Sequence, residues 1–135
     1  VGDKRKLAGL MAGIGLLSLV SAIPAHAAEG QFESYMKWWT APQESRRWHD
    51  SNSTSDYTGI YFQGCTADSD LGFAWAELKL YIDRPSLPDK GKGTETNRCG
   101  WVDYGDPDEA GNYYFQLSGL ANGEFINIDY VKVAW

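Results

Sequence analysis

Imidazole and thiol, the side chains that most often carry acid–base, nucleophilic and transition-metal chemistry near neutral pH, are scarce. The 135 residues hold two histidines and two cysteines. His26 falls in a leader read below as removed, which leaves His49 as the one imidazole. So few ligands argue against a zinc site, and no Gly-x-Ser-x-Gly run supplies a nucleophile for His49. Positive charge is also short: 12 Lys and Arg stand against 18 Asp and Glu, a net charge of -6. A field of that sign repels phosphate backbones and anionic lipid, so neither nucleic acid nor a membrane surface is an expected partner. Internal repeats, low-complexity tracts and long amphipathic helical periods are missing too, which leaves short strands as the expected building blocks.

The N-terminal residues have a distinct layout. Lys4, Arg5 and Lys6 form a cationic head, positions 7–23 are an apolar run, and Pro24 precedes Ala25-His26-Ala27. Charge, apolar length, helix breaker and small residues follow the order of a secretory signal peptide. A retained anchor is the alternative, since 17 positions nearly cross a bilayer, but Pro24 and the small residues disfavour it. The expectation is cleavage after Ala27. That leaves one exported domain over 28–135, secreted or associated with the cell wall, monomeric, and free of the membrane once the leader is gone. Without Asp3, Lys4, Arg5 and Lys6 the balance is 9 basic against 17 acidic residues, or -8. Cys65 and Cys99 both lie in the exported part and have only one possible pairing, so an oxidising compartment predicts a disulfide. It closes a loop of 35 residues, which the chain-entropy model values at roughly 3–4 kcal/mol.

Period-two patterns dominate the rest. Over 73–84, Ala74, Ala76, Leu78, Leu80 and Ile82 share one face while Trp75, Glu77, Lys79 and Tyr81 share the other. A helix would mix Glu77 and Lys79 among the apolar positions, so a strand is predicted. Further strands are predicted over 32–39, 57–65, 113–118 and 125–135, with polar turns over 50–56 and 103–112. The last strand changes parity between Ile126, Ile128 and Val131, Val133, which a bulge near Asp129 and Tyr130 would repair. Asn122-Gly123 is a favoured hairpin pair and is expected to join the last two strands. Residues 85–98, rich in Pro, Gly, Lys and Thr, are expected to form a long exposed loop. The resulting fold is all-β: a small antiparallel β-sandwich, or partly open barrel, of five to seven strands with one disulfide.

Catalytic constellations are weak. Glu44, Arg46, Arg47, His49 and Asp50 supply the residue types of a small secreted ribonuclease, and such ribonucleases share this chain's size and acidity. Packed into seven residues of extended chain, however, these side chains alternate faces and cannot converge on one phosphate. Asp103, Asp106, Asp108 and Glu109 crowd a loop with Gly105 and Pro107, a weak calcium candidate whose spacing matches no EF-hand. No other cofactor is expected. Asn52-Ser53-Thr54 satisfies the glycosylation pattern.

The informative surplus is aromatic. Six Trp, eight Tyr and five Phe all fall within 28–135, more than a core of this size hides. Exposed rings stack on sugar faces and serve as rigid anchors. Trp75 and Tyr81, on the polar face of the 73–84 strand, are the first candidates for ligand binding, followed by Trp101 and Tyr104. Trp38, Trp39 and Trp135 lie near ends or loops. The run Gly123-Glu-Phe-Ile-Asn-Ile-Asp-Tyr-Val-Lys-Val-Ala-Trp135 resembles the closing strand of some β-sandwich carbohydrate-binding modules. The likeness covers about a tenth of the chain, does not extend to their N-terminal calcium-binding segment, and transfers no residue role. The chain also resembles small one-disulfide secreted proteins of Gram-positive bacteria, a likeness that carries no activity.

These readings converge on a non-catalytic module that engages extracellular glycan or cell-wall polymer. The alternative is a protein-binding inhibitor or small toxin acting through Lys90, Lys92 and Arg98 of the 85–98 loop. A hydrolase or ribonuclease resting on His49 is the third.

Overall fold

The computed structural model describes residues 28–135, and the expected leader lies outside the described residues. The strands are β1 (Gln31–Trp39), β2 (Trp48–Asp50), β3 (Gly59–Ala67), β4 (Ala76–Ile82), β5 (Lys90–Asn97), β6 (Trp101–Asp103), β7 (Gly111–Leu120) and β8 (Ile126–Ala134). They form two antiparallel four-stranded sheets: sheet A in the order β1-β8-β3-β6, and sheet B in the order β2-β7-β4-β5. The architecture is the expected β-sandwich. It has eight strands where five to seven were expected: β2 and β6 are three-residue pairings that leave little periodic trace, and β5 is an edge strand.

The inward faces follow alternation. Ala76, Leu78, Leu80 and Ile82 of β4 are buried, and they meet Ile60 and Phe62 of β3, Phe115 and Leu117 of β7, and the branched residues of β8 in one core. The period holds only from Ala76: Ala74 is exposed, while Phe73 packs against the core. Trp48 is buried between Tyr113 and Trp135, with ring centroids 6.3 and 5.8 Å away.

β8 contains the expected bulge. Ser34 pairs with Val131, but Met36 pairs with Ile128, so β8 spends three residues where β1 spends two, around Asp129 and Tyr130. The extra residue lets Ile126 and Ile128 share the core side with Val131 and Val133. β3 keeps its register and meets the same irregularity with Gly64 at φ 70°, where a Cβ would strike Asp129. β1 then returns to register with a compensating bulge, since Met36 pairs with Ile128 but Trp39 pairs with Ile126.

Two expectations are corrected. Residues 85–98 are not a long loop: β5 occupies Lys90–Asn97 and pairs with β4 from Ile82↔Lys90 to Ala76↔Asn97. An edge strand needs only main-chain partners on one side, so its sequence shows no apolar alternation. A bulge between Tyr81↔Gly91 and Leu80↔Gly93 turns the Lys92 amine onto Asp108 and Glu109, at 2.7 and 2.8 Å. Lys90 pairs with Glu109 as well. Lys90 and Lys92 of the protein-binding alternative thus lie on an edge strand and in ion pairs rather than on a loop. Asn122-Gly123, in turn, does not close a hairpin, because β7 belongs to sheet B and β8 to sheet A. Gly123 is left-handed (φ 79°), and the turn wraps the Asp68 carboxylate, which accepts the Glu124 and Phe125 N–H groups.

The sheets are tied at one corner. Cys65 of β3 is bridged to Cys99 just beyond β5, with Cα atoms 6.0 Å apart. Asn97, fully buried, builds that corner. Its Oδ1 accepts the Cys99 and Gly100 N–H groups, and its amide donates to the Gly100 and Ile60 carbonyls. Replacing Asn97 by Ala removes the acceptor of the Cys99 and Gly100 N–H groups together with the buried bond to the Ile60 carbonyl, and is expected to cost about 3 kcal/mol. The check is the urea midpoint of the disulfide-intact protein against wild type.

Candidate functional site

Alternation sends Ile60, Phe62, Val131 and Val133 into the core, so Tyr61, Gln63, Tyr130 and Lys132 belong to the outer face of sheet A, where Lys132 is covered. Cross-strand register adds neighbours: Tyr61 faces Trp101 of β6 on one side and Lys132 of β8 on the other, and Lys132 faces Glu33 of β1. The rings form a band. The Tyr61 centroid is 5.1 Å from Trp101 and 6.1 Å from Tyr130. The Tyr130 hydroxyl donates to Glu33, and burial, with that bond, pushes it up to about 12.

Beyond the band, the paired bulges open a trough of about 540 Å³ lined by Tyr35, Met36, Lys37, Asn127, Ile128 and Asp129. Tyr35 is 67% exposed. Trp38 sits within the β1 bulge at φ 54°, a backbone region that bulky side chains rarely adopt. Its N–H donates to Asn127 Oδ1 at 3.0 Å, its indole is 58% exposed, and it stands edge-on to Phe125 at 6.1 Å. Every other tryptophan is buried or half-buried.

The residues expected to bind ligand do not converge on one site. Tyr81 lies on the outer face of sheet B, stacked on Tyr114 at 5.3 Å with the Lys79 amine over its ring. Tyr114 is covered in turn by the Arg47 guanidinium at 3.7 Å. Trp75 is half-buried just before β4, its carbonyl accepting the Ala121 N–H. Tyr104 lies against the core with its hydroxyl donating to the Leu78 carbonyl, and burial raises its pKa. Of the four, Trp101 alone belongs to the outer band of sheet A. Trp38 and Tyr35 were harder to read from sequence, because a bulge inside β1 cannot be located from one strand's pattern. The adjacent Trp38-Trp39 pair was the available signal, since two neighbouring rings on a strand cannot both face inward.

The other candidates are drawn into structural bonds. Asp108 and Glu109 of the acidic loop hold Lys92, and Asp103 accepts the Gly105 N–H. Among the described residues, no group of three or more His, Cys, Asp or Glu is arranged to hold a metal ion. His49 Nδ1 contacts Asn112 Oδ1, while Arg47 bridges Glu44 and Asp83, so the 44–50 cluster splits between different partners. Asp50 is buried, and its pKa is raised. Desolvation is the main cause, opposed by the Asn52 N–H and reinforced by the charges of Glu29 and Asp106. The bonds from Ser51 and Ser53 hold Glu29 itself down at about 2.

Comparison with known proteins finds no match to a family model, a curated protein or a solved structure. The fold and face define a class, a disulfide-tied four-on-four β-sandwich with an aromatic outer face.

Two measurements check this geometry. Trp38→Phe is expected to remove most of the acrylamide-quenchable tryptophan fluorescence, whereas Trp48→Phe leaves it unchanged. Asp50→Asn keeps an acceptor for Asn52 and removes a buried charge. A folded-state pKa above the usual 3.8 means that stability is lost as pH rises through it. The variant should therefore melt higher than wild type at pH 7, and the difference should vanish below pH ~3.8, as read by thermal unfolding across that range.

Proposed function

We propose that the protein is an exported, non-catalytic module that binds extracellular glycan or cell-wall polymer on the outer face of sheet A. Trp38 and Tyr35 supply the stacking rings, while Asn127, Asp129 and Lys37 line the trough that orients sugar hydroxyls. The observation that carries this reading is the backbone of Trp38. Left-handed geometry costs a bulky residue about 1–2 kcal/mol, and glycine would fill that position without strain. A fold that instead keeps a tryptophan there, clamped by Asn127 and with its indole in solvent, supports a role for the ring outside the fold. Flat rings match the apolar faces of pyranoses, and tryptophan loses little conformational entropy on binding.

Outer-face contrast favours sheet A over sheet B. On sheet B the Tyr81 and Tyr114 rings are capped by Lys79 and Arg47, so a sugar would have to displace cations already in place. Trp38 and Tyr35 carry no such cap among the described contacts.

The test is calorimetric titration with neutral cellulose, xylan, mannan and chitin oligosaccharides. Trp38→Ala and Tyr35→Ala are each expected to weaken binding at least tenfold with unchanged circular dichroism. Trp38→Gly should lose the same binding while melting no lower than wild type, because the strain goes with the ring. Binding that is indifferent to all three substitutions, or no binding to any sugar here or in the acidic panel below, would sink the reading.

A further inference from the structure

Four buried polar side-chain atoms among the described residues have no hydrogen-bond partner: Trp48 Nε1, Thr58 Oγ1, Trp101 Nε1 and Lys132 Nζ. Two of these, both donors, belong to one row on the outer face of sheet A. Lys132 and Trp101 are the two cross-strand neighbours of Tyr61. Lys132 is 1% exposed, and its flanking residues Val131 and Val133 occupy the core side, so the amine belongs to the outer row. The nearest acid in register, Glu33, accepts the Tyr130 hydroxyl instead.

An ammonium held out of water without a counter-charge is strongly unfavourable, and a pairing carboxylate relieves that cost. A neutral indole N–H left without an acceptor is a smaller penalty of the same kind. Resting on the glycan-binding reading, we infer that the ligand is an acidic polysaccharide, a uronate-bearing chain whose carboxylate pairs with Lys132 while a neutral oxygen accepts from the Trp101 indole.

Geometry assigns the two roles. Lys132 and Trp101 stand two strand spacings apart, about 10 Å, with the Tyr61 ring between them. They therefore address different groups of one ligand lying on that ring, with charge at one end and a hydroxyl or ring oxygen at the other. The amine is covered in this structure, so its flexible four-carbon stem swings outward on binding to meet a carboxylate above the tyrosine. The net charge of the exported part, 9 basic against 17 acidic residues or -8, opposes polyanions in general, so retention of an acidic polymer depends on the specific cationic contact at Lys132. Tyr35 lies on β1 two residues from Glu33, which places the band and the trough side by side for one extended chain.

The experiment titrates the full chain with polygalacturonate, alginate and hyaluronate, each beside its methyl-esterified form, in 0.15 M salt. At least one acid form is expected to bind tenfold or more tightly than its ester. Lys132→Met, which keeps an apolar stem and removes the charge, should erase that ratio without lowering the melting temperature. Trp101→Phe keeps the ring and should weaken acid and ester alike by a smaller factor. Trp38→Ala should weaken both forms equally. Equal binding of acids and esters by the wild type, or an acid preference that survives Lys132→Met, overturns the carboxylate assignment and leaves the glycan reading standing. If no acidic or neutral polymer binds, both readings fall together.

Discussion

The uneven spacing of apolar residues in β8 is the constraint on which sheet A depends. Ile126 and Ile128 must enter the same core as Val131 and Val133, and no regular strand can do that. One extra residue in β8 solves the problem, and its neighbours inherit the consequences. On one side β3 absorbs it through the left-handed Gly64. On the other, β1 answers with a second bulge, which displaces Trp38 into the left-handed region and opens the trough beside it. The face with the most exposed rings is thus a by-product of how the core is filled.

The two outer faces treat their aromatic residues differently. On sheet B the rings are components of a polar lattice: Tyr114 lies under Arg47, which pairs with Glu44 and Asp83, while Asp89 accepts the Tyr114 hydroxyl. Donors and acceptors close on one another. On sheet A the corresponding account does not close, since a buried amine and a buried indole lack acceptors. A surface that satisfies itself has little to gain from a partner, whereas one that leaves donors unmet gains from any partner that supplies acceptors.

Much of the frame was legible in the residues. Alternation identified the inward face of β4 from Ala76 onward, the parity change located the β8 bulge, and two cysteines predicted the disulfide. β5 escaped because an edge strand held by main-chain bonds carries no side-chain period, and Gly91 and Gly93 read as loop. Asn122-Gly123 gave the right turn conformation at Gly123 and the wrong topology, since a tight turn serves a sheet-to-sheet corner as well as a hairpin. Outward parity was legible for Tyr81, whereas Trp75 lies before Ala76, where the alternation no longer holds. Lys79 beside Tyr81 was legible as well, two residues away on the same face of β4, but whether Arg47 lies over Tyr114 depends on strand order, which no single segment encodes.

The pairing order also bears on when this chain can fold. Only β4 and β5 are sequence neighbours that pair; every other adjacent pair in either sheet joins distant segments. β8, the last of these eight strands in chain order, is the one element that binds β1 to β3. Until it is present β1 has no partner strand and half the sandwich cannot assemble. Such a topology defers closure of sheet A until β8 has been made, when closure of long loops has to come before the contacts that reward it. Through that interval β1 stays unpaired, its main-chain groups open to chaperones.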